Sequence, residues 1–246
     1  MMRPVEVSII NACEPDILSD SEIRAIVPAL QKQVERDFAP VWGRSAHLSF
    51  VPKNKQPKPR SWWLAILNDS KYAGITGYHD LTTERLPLGK VFAATMIEHG
   101  LEWTVTASHE LLEMLADPDL SLGALVDRVG SKGRFYCYEV CDPCEDDSQG
   151  YKIDGVRVSD FVHPTWFESF RRRGGARFDQ CGLIDRPFKF LRGGCALVRE
   201  LPSRRGLLQL TGKGNHFRLT RLPGGRRSRR GLPRDRWMPS TIKFGR

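Results

Sequence analysis

Apolar residues in the first half of the chain recur with two different periods, and each change of period marks a new element. Residues 5–12 (Val-Glu-Val-Ser-Ile-Ile-Asn-Ala) are β-branched and mostly alternate, which predicts a strand. Ser19, Asp20, Ser21 and Glu22 then supply N-cap and first-turn residues, after which Ile23, Ile26, Val27, Leu30, Val34 and Phe38 recur at helical spacing. That spacing predicts an amphipathic helix ending near Pro40. Residues 47–51 and 62–67 read as short apolar strands on either side of a basic, Pro-rich loop over residues 52–60. Residues 73–78 form a weaker strand signal, interrupted by two Gly, and residues 90–97 read as a further strand beyond the loop around Pro87. The strongest helical pattern in the chain covers residues 102–115. A strand, a long helix, three or four strands and a second helix pack most economically as a mixed sheet with helices on one face, an α+β domain.

Beyond this half the pattern becomes one of turns. Residues 140–147 are acidic and turn-rich, and residues 151–158 read as a hairpin with Asp154-Gly155 as its two-residue turn. Residues 188–198 suggest another hairpin around Gly193-Gly194, and residues 207–219 a third around Gly212-Lys213-Gly214. From Pro223 onward the chain is rich in Gly, Pro and Arg and offers little to bury, which predicts a disordered tail. The expected organisation is a domain over 1–170, a small basic β-rich region over 171–222, and a basic tail over 223–246.

Composition sharpens this division. Forty per cent of the 246 residues are apolar, enough for a real core, and no apolar run approaches the roughly 20 residues of a membrane-spanning helix. The first residues carry Glu6, Glu14 and Asp16 where a secretory signal needs an apolar stretch, so a cytoplasmic protein is expected. The net charge of +9 is uneven: residues 1–170 hold 17 basic and 25 acidic groups, residues 171–246 hold 21 basic and 4 acidic. Basic character therefore belongs to the last third, where Arg226, Arg227, Arg229, Arg230, Arg234 and Arg236 suit phosphates or an acidic partner, or simply solvate a tail. The acidic part is where chemistry is to be sought.

On the strongest helix lies Ser108-His109-Glu110-Leu111-Leu112-Glu113-Met114-Leu115-Ala116-Asp117-Pro118. Residues four apart share a helix face, so His109 and Glu113 can offer an imidazole nitrogen and a carboxylate oxygen to one cation. Glu110 then flanks a water on that cation, following the logic of the His-Glu-x-x-His zinc helix with Glu in place of the second His. The same pattern also describes an ordinary solvated face of an acidic amphipathic helix, with Leu111, Leu112, Met114 and Leu115 anchoring it. Glu110 separates two functional outcomes, since hydrolysis needs it and a structural metal site does not.

The combination resembles zincin-type metallopeptidases, and more closely a group of uncharacterised bacterial, phage and plant zincin-like proteins. These carry a Ser-His-Glu-x-x-Glu helix ending in Asp-Pro, a downstream Glu-x-x-Asp pair and a Tyr-His pair. Here the matching residues are Ser108 to Glu113, Asp117-Pro118, Glu139 to Asp142, and Tyr78-His79, within roughly the first 170 residues. The resemblance implies a zinc-binding fold and a peptide or protein substrate, with residues 90–97 as the edge strand along which an extended substrate pairs. The alternative it leaves open is a catalytically silent scaffold whose basic C-terminal region binds nucleic acid or an acidic partner.

Two ligands from one helix leave zinc short of its usual three or four, so a downstream residue must complete the set. Glu139 or Asp142 is preferred, because Phe135-Tyr136 just ahead can pin that segment to the core. Asp119 is the alternative, by analogy with zincins whose third ligand follows a turn after the helix. Ala116 stands where the related pattern has Gly, and Asp117 reads as a turn residue ahead of Pro118. His79 is either a transition-state group hanging over the cleft or a strand-end His bonded to Asp80. His163, ahead of Pro164, reads as structural, and Trp62, Trp63 and Trp103 as core. Cys137, Cys141 and Cys144 have the spacing of the iron–sulfur loop of radical S-adenosylmethionine enzymes, but the repeating βα pattern of that family is missing; the other reading is free thiols beside a metal site.

Overall fold

The computed structural model describes residues 3–14, 17–69, 76–82, 84–126, 133–201, 206–213 and 216–221. The predicted tail over 223–246 and residues 73–75 of the predicted strand over 73–78 lie outside them. The architecture is α+β. Strands β1 (Val5–Asn11), β2 (Ala46–Val51), β3 (Trp62–Leu67), β4 (Gly77–Leu81) and β5 (Pro87–Phe92) form one sheet in the order β2-β1-β3-β5-β4. β1 is parallel to β2 and β3, β3 is parallel to β5, and β4 alone runs antiparallel to its neighbour.

Helix α1 (Asp20–Lys32) starts where the sequence predicts, at a capping box in which Ser19 accepts from the Glu22 N–H and Glu22 accepts from the Ser19 N–H. Such a cap contributes about 1 kcal/mol. The predicted run to Pro40 is not one α-helix: a π-helical stretch, Gln33–Phe38, intervenes before a last turn, α2 (Ala39–Trp42), ends at Gly43 with φ of 74°. That wider stretch buries polar Gln33 beside Val34 and Phe38, which matters at the site below. After β5 come α3 (Ala93–Glu98) and α4 (Trp103–Ala116), the second of these the strongest pattern of the sequence. Alternate sheet residues divide between two clusters. Val7, Ile9, Leu64, Ile66 and Val91 meet α1 and α4, while Ile10, Ala65, Leu67, Leu88 and Phe92 lie on the other face with Trp63. Trp62 and Trp103 pack half-buried against the main core.

The expected edge strand over 90–97 needs correction. β5 ends at Phe92, its six residues are all buried, and β3 and β4 flank it, so it is an interior strand; Ala93 and Ala94 turn the chain into α3. The edge is β4, the strand that carries His79.

A second, wholly antiparallel sheet has the order β12-β11-β10-β7-β6, built from β6 (Gly123–Val126), β7 (Arg134–Cys137), β10 (Cys195–Glu200), β11 (Leu208–Lys213) and β12 (His216–Arg221). Strands from both sides of residue 170 share it, so this sheet crosses the boundary drawn there. β8 (Tyr151–Ile153) and β9 (Val156–Val158) form the expected hairpin, with positive φ at Asp154 (49°) and Gly155 (86°) as the two-residue turn requires. β11 and β12 form the hairpin predicted over 207–219. The hairpin predicted over 188–198 is absent from this described stretch: only β10 is a strand, and Gly194 serves a close packing instead. A Cβ there would sit 2.2 Å from the Pro143 carbonyl oxygen. Among the described residues no helix is long and apolar enough to cross a membrane.

Candidate metal centre

Helix α4 lies across β5 and β4, and its side toward them carries Glu110 and Glu113. Two glycines make the close approach possible. A Cβ on Gly77 would lie 2.5 Å from Glu110 Oε1 and 2.9 Å from the Lys90 carbonyl oxygen, and one on Gly89 3.4 Å from Glu110 Cβ. Alternation along β4 places His79 on the same face as Gly77, while Tyr78 and Asp80 point away. Ser108, the first residue of the motif, locks the helix in rotation: its hydroxyl donates to Gln33 Oε1 (2.6 Å) and accepts from the Ser159 N–H (3.0 Å). Gln33 in turn donates to the Ser159 carbonyl at 2.9 Å. The π-helical stretch after α1 is therefore what reaches Ser108 on α4.

The loop after β7 supplies the remaining donors. It is held by its backbone, with the Val162 N–H donating to the Val140 carbonyl (2.7 Å) and the Leu191 N–H to that of Pro143 (2.9 Å). The latter bond explains why the 188–194 stretch is a strap rather than a hairpin arm. Fixed in this way, the loop presents Glu139, Cys141 and Asp142 to α4, and the Cys141 N–H donates to Glu113 Oε1 at 3.1 Å.

Most of the predicted residues converge. His109 Nε2 lies 3.2 Å from Glu113 Oε1 and 3.4 Å from Asp142 Oδ1. His79 Nδ1 lies 3.4 Å from Glu113 Oε2 and 3.7 Å from Glu110 Oε2, while His79 Nε2 is 3.4 Å from Glu139 Oε2. These separations exceed the roughly 2.7–2.9 Å of a charge-assisted hydrogen bond. They match the about 3.3 Å that separates two ligand atoms on a tetrahedral ion with bonds of about 2.0–2.1 Å. His79 thus faces three carboxylates and not Asp80, whose Oδ1 accepts from the Leu81 N–H. Asp119 is exposed and outside the cluster, and Asp117 holds the turn after α4 by accepting from the Ser121 and Leu122 N–H groups.

Burial decides the electrostatics. The side chains of Glu110 and Glu113 are only 6 % and 4 % exposed, against 12 % for His109 and 16 % for Asp142, so the centre opens on the His109–Asp142 side. Desolvation alone would discharge the imidazoles, yet the surrounding carboxylates outweigh it and hold both His79 and His109 well above their ordinary pKa. Burial pushes Glu110 and Asp142 up, whereas at Glu113 the two imidazoles overcome it and hold the carboxylate low. The cluster is short of positive charge. Glu110 Oε2 and His79 Nε2 are buried and make no hydrogen bond, the condition in which polar atoms serve as ligands or reactants. The residues therefore fit a cation.

Cysteine placement differs from the iron–sulfur alternative. None of the six cysteines forms a disulfide, and among the described residues Cys137, Cys141 and Cys144 do not gather in one group. Cys141 instead joins His109 and Glu113, with donor atoms within 4.8 Å of one another, and Cys195 joins Asp142 and Glu145. Cys141 was readable as a metal-side thiol from its position next to Asp142; Gly77, Gln33 and the Glu145–Cys195 pair carry no signal in the sequence that ties them to the motif. His163 bonds weakly to Gln180 (3.4 Å) and stacks on Phe161, away from the centre. Comparison with protein-family models, with curated proteins and with solved structures finds no match.

Proposed function

We propose that the chain is a zincin-like, zinc-dependent metallohydrolase acting on peptide bonds. The observation that carries this reading is the convergence of His109, Glu113, Cys141 and Asp142, from one helix face and one loop, beside the unpartnered oxygen of Glu110. His109, Glu113 and Asp142 would hold the ion with Cys141 alongside, a mixed nitrogen, oxygen and sulfur set that suits zinc better than magnesium or calcium. When bound, such an ion lowers the pKa of a water to about 7 and polarises a carbonyl. Glu110 accepts the proton of the attacking water as its oxygen bonds to the carbonyl carbon, and returns it to the amine nitrogen as the C–N bond breaks. No described strand pairs with the outer side of β4, so an extended peptide has an edge to align on beside the site.

Metal analysis and a peptide-library assay test this together. The purified chain is expected to contain zinc, and a His109→Ala, Glu113→Ala double variant to lose it. Glu110→Gln is expected to lower hydrolysis by at least about 100-fold. A wild type without zinc, or a double variant with a full complement, overturns the site. Unchanged hydrolysis by Glu110→Gln overturns the mechanism and leaves a metal-holding scaffold without turnover.

A further inference from the structure

The two oxygens of Glu113 point to different histidines. Oε1 lies 3.2 Å from His109 Nε2, and Oε2 lies 3.4 Å from His79 Nδ1. On the His79 side, His79, Glu110 and Glu113 bring their donor atoms within 4.8 Å of one another, as His109, Glu113 and Cys141 do on the other side. We propose that the centre holds two divalent cations, with Glu113 as the bridging carboxylate: an outer ion at His109, Asp142 and Cys141, and an inner ion at His79 and Glu110. The inference rests on the outer ion being bound as proposed above.

Three observations support the inner position independently of the helix motif. Glu110 Oε2, on a side chain only 6 % exposed, aims into the space between His79 and Glu113 and makes no hydrogen bond. His79 presents Nδ1 to that space, and the Glu139 carboxylate lies 3.4 Å from Nε2 on the far side of the ring, where a carboxylate behind a metal-binding imidazole belongs. Charge gives the third. Four buried or nearly buried carboxylates, Glu110, Glu113, Glu139 and Asp142, surround two imidazoles, which must be neutral to ligate. With Cys141 bound as a thiolate the set carries five negative charges, so one divalent ion leaves three of them unbalanced in a desolvated site and a second reduces that to one.

The two positions differ in access. The inner one is closed by α4, β4 and the 139–142 loop, as a structural ion requires, whereas the outer one lies on the more exposed His109–Asp142 side, where an open coordination position belongs. Carried through, the proposal makes Glu110 a ligand of the inner ion through Oε2 in addition to the proton acceptor proposed above. That makes the Glu110→Gln variant decisive. With one ion it keeps its metal and loses turnover; with two it also loses half of its metal.

The test is metal stoichiometry on the full chain, equilibrated at a fixed free zinc concentration and measured by elemental analysis. Two zinc per chain are expected in the wild type and one each in His79→Ala, His109→Ala and Glu110→Gln. One zinc in the wild type overturns the two-ion centre and leaves the single-ion hydrolase standing; none overturns both. Two zinc in wild type and still two in His79→Ala also overturn the inner site. A measurement without variants guards against misfolding. On titration of the wild type with Co2+, the electron paramagnetic resonance signal per cobalt is expected to weaken as the second equivalent binds, because the shared carboxylate couples the spins. Equal, additive signals from the two equivalents refute the bridge.

Discussion

Asp160 and Asp179 are as deeply buried as Glu110 and Glu113, yet the backbone satisfies three of their four oxygens, all but Asp160 Oδ2. Asp160 Oδ1 accepts the N–H groups of Phe161 (2.8 Å) and Cys181 (3.0 Å), and Asp179 accepts those of Leu183 (2.8 Å) and Ile184 (3.0 Å). The pair is a structural clasp: its charge is spread into peptide dipoles that fix residues 179–184 against the core. At the candidate metal centre, among the described residues, the backbone gives the α4 carboxylates only the Cys141 N–H, and imidazoles and other carboxylates lie beside them. Burial alone does not mark a functional acid. What distinguishes the two groups is whether the backbone has already used the lone pairs.

The comparison predicts opposite losses. Asp179→Ala leaves the Leu183 and Ile184 N–H groups, the second of them buried, without these acceptors and removes the carboxylate that faces Asp160. Stability to denaturant is expected to fall by about 3 kcal/mol while bound zinc per folded chain stays unchanged. Changes at His109 and Glu113 are expected to do the reverse, removing metal while the metal-free chain unfolds nearly as before. If Asp179→Ala instead emptied the centre with stability intact, the two groups would not be separate.

A smaller effect probes how closely the sheet holds the acids of α4. Gly77→Ala places a methyl group 2.5 Å from Glu110 Oε1, so either the carboxylate or β4 must shift. Misplacement on this scale is expected to lower hydrolysis by about 10- to 100-fold, with a stability cost of about 1–3 kcal/mol. Gly206→Ala, which meets nothing within 4 Å, serves as the control and is expected to behave as wild type. Equal behaviour of the two variants would show that β4 does not position Glu110.

What the sequence disclosed follows the same line between local and distant causes. His109, Glu110 and Glu113 were legible because a helix fixes spacing locally, and the capping box at Ser19 and the Asp154-Gly155 turn for the same reason. The edge strand was misplaced because β-branched residues continue past Phe92 in Thr95 and Ile97, while the pairing that makes β5 interior depends on β3, more than 20 residues away. Gln33 on Ser108 and the Pro143–Leu191 bond could not be read at all, since each joins segments more than 40 residues apart through polar atoms that leave no periodic trace. The loop that brings Glu139 and Asp142 to the helix is built from such contacts, and so the sequence alone leaves a choice among Glu139, Asp142 and Asp119.

The last expected effect concerns the clasp and its pH dependence. Burial, and then the facing carboxylate of Asp179, push Asp160 up to about 8 from an ordinary value near 3.8. Among the described residues Asp160 Oδ2 has no donor in reach, and a proton held on Asp160 itself lets it face the Asp179 carboxylate. A carboxyl whose folded pKa is raised binds a proton in the native state that the unfolded chain has already released. Its contribution to stability is therefore complete below about pH 4, declines as pH rises toward 8, and is flat above that. Asp160→Asn keeps the acceptor for Phe161 and Cys181 and supplies an N–H to Asp179 that never titrates. Denaturation midpoints at pH 5 and pH 8 should show the variant gaining on wild type by about 2 kcal/mol or more as pH rises. Titration of the candidate metal centre is common to both proteins and cancels in this difference. Parallel curves would mean that Asp160 holds no proton in the folded state over this range.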